Sequence, residues 1–227
     1  MHTKIILFLR LSIPIFFSVS VCGNAQHTAD LPVTIINSSL KQSFDQQEIT
    51  LAKKRSEISL EKGDDVIHAS DCRSLNKALS KGYILSETVI NQQIASEYQV
   101  CYQLKYIKSA QSSTETYFSK PYGSLLTRKL DLQTLASSLK QQLNSGPQTL
   151  KDLNFKNIKD EQNSIIIDAS DWYYRINILA RGDFNHDGIE DLLIEFIDQA
   201  MQGNYFSHST LILERKTFSG FISALPY

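Results

Sequence analysis

The hydrophobic period of this chain changes at Asn144-Ser145-Gly146-Pro147, and that change limits the possible folds more than any other feature. Upstream, apolar residues recur three and four apart: Tyr98, Cys101, Leu104 and Ile107, then Leu132, Leu135, Ala136, Leu139 and Leu143 behind Asp131 as an N-cap. Such spacing predicts amphipathic helices with one face on a core. Downstream, residues 164–168, 172–180, 192–197 and 210–214 are rich in β-branched and aromatic side chains, which favour a pleated, half-buried surface. They predict four strands of one antiparallel sheet, with Gly203-Asn204 as the hairpin turn before the last. Helices first and strands later imply an α+β class.

Shorter signals fill in the order. DCRSLNKALSKGY puts Leu75, Ala78 and Leu79 on one helical face, with Gly82 as the stop. A second helical run begins near Ile94. QSSTETYFS, residues 111–119, is Thr- and aromatic-rich between turn signals and predicts a strand. Residues 26–70 are polar with weak periodicity, and predict a flexible or partly helical segment with a helix over about 46–60. The α+β domain then spans 71–227, mainly helical over 71–146 and mainly strands over 147–227.

The chain opens MHTKIILFLRLSIPIFFSVSVCGNAQ. Basic Lys4 and Arg10, a short apolar stretch and the small residues Gly23 and Ala25 make residues 1–25 a signal peptide cleaved before Gln26. The apolar stretch from Leu11 to Val21 falls short of the roughly 20 residues a bilayer needs, so no transmembrane span is expected after processing. A lipid anchor at Cys22 is the weaker alternative, because Val21 stands where such signals want a small residue. The expected location is periplasmic or secreted.

Processing removes Lys4 and Arg10 from the 23 basic residues and leaves all 24 acidic ones, a net charge of −3. That balance argues against nucleic acid and against an anionic membrane surface, which reward clustered Lys and Arg. Lys53-Lys54-Arg55 reads as a solvated helix face. Only Cys72 and Cys101 remain, and two thiols in an oxidising compartment predict a disulfide. It would clamp one helix to the next.

Between the second and third predicted strands runs DFNHDGIED, residues 183–191. Counting Asp183 as the first position, oxygen-bearing side chains fall at one, three, five and nine, with Gly188 at six. This is the spacing of a hard-cation loop: Asp183, Asn185 and Asp187 turn inward, Gly188 permits a positive φ, the Ile189 carbonyl adds an oxygen and Asp191 closes the shell. Three carboxylates and one amide suit Ca2+ better than zinc, and magnesium would keep more water. The twelfth position is Ile194, where an EF-hand carries a bidentate Glu.

A loop of this kind leading into a strand resembles the calcium loops of FG-GAP and VCBS-type repeats and, more loosely, dockerin loops. The resemblance covers about 12 of 227 residues. It implies Asp183, Asn185, Asp187, Ile189 and Asp191 as ligands and a solvent-facing His186. A propeller needs several blades and a dockerin a duplicated unit, so one copy carries over the ion and the turn without those architectures. The wider layout also resembles uncharacterised exported proteins of Gram-negative bacteria, which supports the compartment and implies no activity.

No nucleophile elbow, H-x-x-x-H, C-x-x-C or Gly-rich phosphate loop occurs. No catalytic or cofactor-binding residue is therefore singled out. The expected function is an exported, non-catalytic protein with a structural calcium loop and an unknown protein or envelope ligand as partner. The alternative is a periplasmic hydrolase or cell-wall-directed enzyme whose active site is assembled from distant residues.

Overall fold

The computed structural model describes residues 30–153 and 155–226, so the signal peptide over 1–25 and Cys22 lie outside the described residues. The first elements are β1 (Thr34–Ile35), α1 (Ser38–Asp45), α2 (Gln47–Ala52), β2 (Ile58–Lys62), β3 (Asp65–Ala69), α3 (Cys72–Ser80), β4 (Ile84–Leu85), α4 (Val89–Ile94), α5 (Gln99–Ser109) and α6 (Tyr122–Lys129). Then follow β5 (Ile158–Asp160), β6 (Ser164–Ala169), β7 (Trp172–Gly182), β8 (Asp191–Ala200), β9 (Phe206–Glu214) and β10 (Ser223–Ala224). The fold is α+β, as the change of period predicts.

The larger sheet is antiparallel, in the order β10-β9-β8-β7-β6-β5, with β1 also paired to β7. Strand alternation gives it two buried faces. Tyr174, Ile176 and Ile178 of β7, Leu192, Ile194 and Phe196 of β8, and Leu211 and Leu213 of β9 pack on Leu126, Leu130, Leu132, Leu135 and Leu139. Register shifts between Ile178 and Ala180, so Leu179 joins Leu193 on the opposite face. There they meet Leu40 of α1 and Leu104 and Ile107 of α5.

A second, smaller sheet, β3-β2-β4, packs on α3 and α5 around Ile58, Leu60, Leu75 and Tyr98. Cys72 at the start of α3 is bonded to Cys101 in α5, with Cα atoms 5.2 Å apart and both residues fully buried. The predicted clamp between helices is present. Asp71 caps α3, accepting from the Ser74 N–H at 2.8 Å while the Ser74 hydroxyl accepts from the Asp71 N–H.

Four expectations differ from what is seen. Residues 30–70 are built into the fold: the predicted helix over 46–60 stops at Ala52, and Ile58 and Leu60 alternate inward on β2. Lys53-Lys54-Arg55 lies beyond α2, where the Arg55 guanidinium donates to the carbonyls of Thr50, Lys53 and Glu97. Residues 111–119 form isolated bridges in place of a strand, with Gln111 opposite Asp183 and Glu115 opposite Ile189. The predicted helix behind Asp131 is two 3-10 turns, Leu132–Thr134 and Ser138–Gln142.

Tertiary hydrogen bonding explains the last difference. Buried Asp198 of β8 accepts the Ser138 N–H at 2.7 Å and its hydroxyl at 2.8 Å, fixing the backbone outside α geometry. The leucines still reach the core. The α-helix falls earlier, in α6, where Gly123 lies against the backbone of the β5–β6 hairpin: a Cβ there would sit 2.2 Å from the Glu161 carbonyl oxygen and 2.6 Å from that of Ser164.

Candidate metal centre

Residues 183–190 connect β7 to β8, and Gly182 opposite Asp191 is the last pair of the ladder. The loop winds around Asp183, which is 2% exposed. Its Oδ1 accepts the N–H groups of His186 at 2.6 Å and Asp187 at 3.1 Å, and Oδ2 that of Gly188 at 2.8 Å. Two Asx turns tighten the path: Asn185 Oδ1 accepts from the Asp187 N–H at 3.0 Å, and Asp187 Oδ1 from the Ile189 N–H at 2.9 Å. Gly188, at φ 84°, reverses the chain, and His186 also holds a positive φ of 66°.

Asp191 closes the loop. It is 1% exposed, and its Oδ2 accepts the N–H groups of Phe184 at 3.0 Å and Asn185 at 3.3 Å. Burial pushes its carboxyl up to about 7; the Asp187 and Asp183 charges add to the rise, and the Phe184 and Asn185 N–H groups oppose it. None of Asp183, Asp187 and Asp191 has a cationic side chain as an ion-pair partner among the described residues. The Asn185 amide donates to Asp187 Oδ2 at 3.1 Å.

Thus Asp183, Asn185, Asp187 and Asp191 share one short turn with the Ile189 carbonyl in the same backbone. Among the described residues, no group of three or more His, Cys, Asp or Glu side chains is arranged to hold a metal ion. A cation here would need a mixed donor set, with the Asn185 amide, the Ile189 carbonyl and water beside the carboxylates.

Residues 111–115 brace the outside of the turn. Gln111 and Asp183 exchange backbone hydrogen bonds at 2.9 and 3.0 Å, the Thr114 N–H donates to the Gly188 carbonyl at 2.9 Å, and that of Glu190 to the Glu115 carbonyl at 2.8 Å. His186 is exposed as predicted, yet its Nε2 lies 2.8 Å from the Ser109 carbonyl oxygen. Glu190 is 1% exposed, 3.4 Å from Arg181, and accepts from the Thr116 hydroxyl at 2.9 Å. Glu214, at the end of β9, lies 3.5 Å from the Asn185 amide nitrogen. Local spacing gives no sign of Glu214, because the pairing of Leu192 with Leu213 is what brings it to the loop.

The histidines test the enzyme alternative. His27 lies outside the described residues. His68 is half exposed, and the Ser59 hydroxyl and Glu57 carboxylate both approach the same nitrogen, Nδ1, at 3.2 and 3.6 Å. A relay needs the two ring nitrogens to serve different partners. His208 is nearly buried, with Nε2 2.8 Å from Glu195 Oε1. Cys101 is held in the disulfide. Comparison with protein-family models, curated proteins and solved structures returned no match. Among the described residues no helix is long and apolar enough to cross a membrane.

Proposed function

We propose that this chain is an exported, non-catalytic calcium-binding protein in which one ion staples the β7–β8 hairpin. The supporting observation is the set of three carboxylates within nine residues, two of them almost fully buried, with no cationic side chain paired to them among the described residues. Backbone N–H groups satisfy part of that charge. A divalent cation would relieve the rest, since like charges in a poorly solvated turn raise one another's cost of ionisation. Calcium acts here as a staple, joining the ends of β7 and β8 on which α1 and α5 pack.

Export draws on the signal-like first 25 residues and on the buried Cys72–Cys101 bond, which suits an oxidising compartment. The periplasm or the medium is the working place, and the partner is a protein or envelope component. The candidate contact is the exposed hairpin over 201–205, carrying Met201 and Tyr205.

Thermal melting with calcium and with EDTA tests this. An ion held at about 10⁻⁴ M and supplied at a hundredfold excess stabilises by about 2.7 kcal/mol, or roughly 5–10 °C at this chain length. Asp187→Ala should remove that increment and keep the fold. Identical melting in calcium and EDTA overturns the proposal. The hydrolase alternative has one observation behind it, the His208–Glu195 pair; esterase or amidase turnover that is undiminished in His208→Ala removes that support.

A further inference from the structure

Away from the loop, α5 crosses the large sheet beside β9 and leaves a cleft of about 530 Å³. It is lined by Leu79 of α3, Leu85 of β4, Tyr102 and Tyr106 of α5, and His208 and Thr210 of β9. The two tyrosines are one helical turn apart and so share a face of α5. Burial raises both phenols, keeping them as neutral O–H donors, and neither hydroxyl has a partner among the described residues.

The β9 side is hydrogen-bonded to Gln99 of α5. The Thr210 hydroxyl donates to Gln99 Oε1 at 3.0 Å, and Gln99 Nε2 donates to the His208 carbonyl at 2.7 Å. Glu195 is occupied by His208 on one oxygen and by the Asn177 amide, at 2.7 Å, on the other. Among the described residues no carboxylate lines the cleft, Lys105 is the lysine at it, and Lys105 forms no ion pair. Apolar walls, a few convergent donors and a volume in the ordinary range for small-molecule sites describe a binding pocket. Its charge selects the sign of the ligand.

We propose that the cleft between α5 and β9 binds a small amphipathic anion, with an aromatic or alicyclic body against Leu79, Leu85, Tyr102 and Tyr106 and its anionic end at Lys105. The site is separate from the calcium loop and stands without it.

Two fluorescent probes with the same apolar body test the inference: anilinonaphthalene sulfonate, which carries an anionic group, and neutral phenylnaphthylamine. The full processed chain should bind the sulfonate saturably at one site. Lys105→Met should weaken sulfonate binding about tenfold, the loss of a charge-assisted contact, and change phenylnaphthylamine binding less than twofold. Ala95→Trp, in the lining, should abolish both while circular dichroism shows the fold intact. Phe218→Ser removes an exposed aromatic elsewhere and should change neither. Equal loss of both probes in Lys105→Met overturns the anion assignment, and sulfonate binding that survives Ala95→Trp overturns the site.

Discussion

Removing the Cys72–Cys101 bond is a perturbation whose size follows from its place in the fold. The bond closes a segment with a sequence separation of 29, and in the chain-entropy treatment such a loop is worth about 3.5 kcal/mol through the unfolded state. At this chain length, about 2–4 °C per kcal/mol converts that to roughly 7–14 °C in Tm. Both cysteines are fully buried among Ile58, Leu60, Leu75 and Tyr98, so the Cys72→Ala, Cys101→Ala double variant also leaves part of this cluster underpacked. The entropic figure is therefore a lower bound. Thermal melting followed by far-ultraviolet circular dichroism gives the shift, and urea titration gives the free energy. A double variant melting within 2 °C of the parent would refute the reasoning. The proposed calcium loop joins two strands of the larger sheet, so on that proposal any calcium-dependent stabilisation should persist in the variant.

Two further predictions rest on single positions. Asp71→Ala removes the cap of α3 and should cost about 1–2 kcal/mol. The Ser74 backbone N–H, then its hydroxyl, hold the Asp71 carboxyl down to about 2, below its usual 3.8, so this stabilisation is present above pH 4 and is lost as pH falls towards 2. The gap between parent and variant in urea titrations should close over that window, and a gap constant from pH 6 to 2 would contradict it. Gly123→Ala drives a methyl group into the backbone of Glu161 and Ser164, and should cost about 3 kcal/mol or prevent folding; unchanged melting would show that α6 can move off the strands.

Much of the framework is legible in the sequence because its signals are local. The strand-like runs over 172–180 and 192–197 announce β7 and β8, and the Gly203-Asn204 pair the turn to β9. The stripe through Tyr98, Cys101, Leu104 and Ile107 announces α5 and the face that carries the disulfide. The β2–β3 hairpin is less legible: Ile58 and Leu60 alternate inward before Gly63-Asp64, but the polar, weakly periodic stretch before them reads as flexible or helical. Where spacing misleads, a distant residue decides, as with Asp198 drawing Ser138 out of a helix. Pro121 and Gly123 read as strand boundaries, yet they open α6, since Gly123 is needed for close approach to β5 and β6.

The candidate site shows the same division. Asp183, Asn185, Asp187 and Asp191 are legible because a single turn brings them together. Glu214 and the His208–Glu195 pair both depend on the register between β8 and β9, which the Gly203-Asn204 turn signal does not fix. The brace over 111–115 was hidden for the same reason, since its partners lie some 70 residues on, at Asp183, Gly188 and Glu190.

Isothermal titration of calcium into the processed chain, stripped with EDTA and dialysed, bears most directly on the loop. One site per chain with a dissociation constant of about 10⁻⁴–10⁻³ M is predicted, as for extracellular modules, and Asp187→Ala should abolish the heat while the protein stays folded. A folded parent chain that takes up no calcium at 10 mM, or an Asp187→Ala variant that binds as the parent does, would contradict the account.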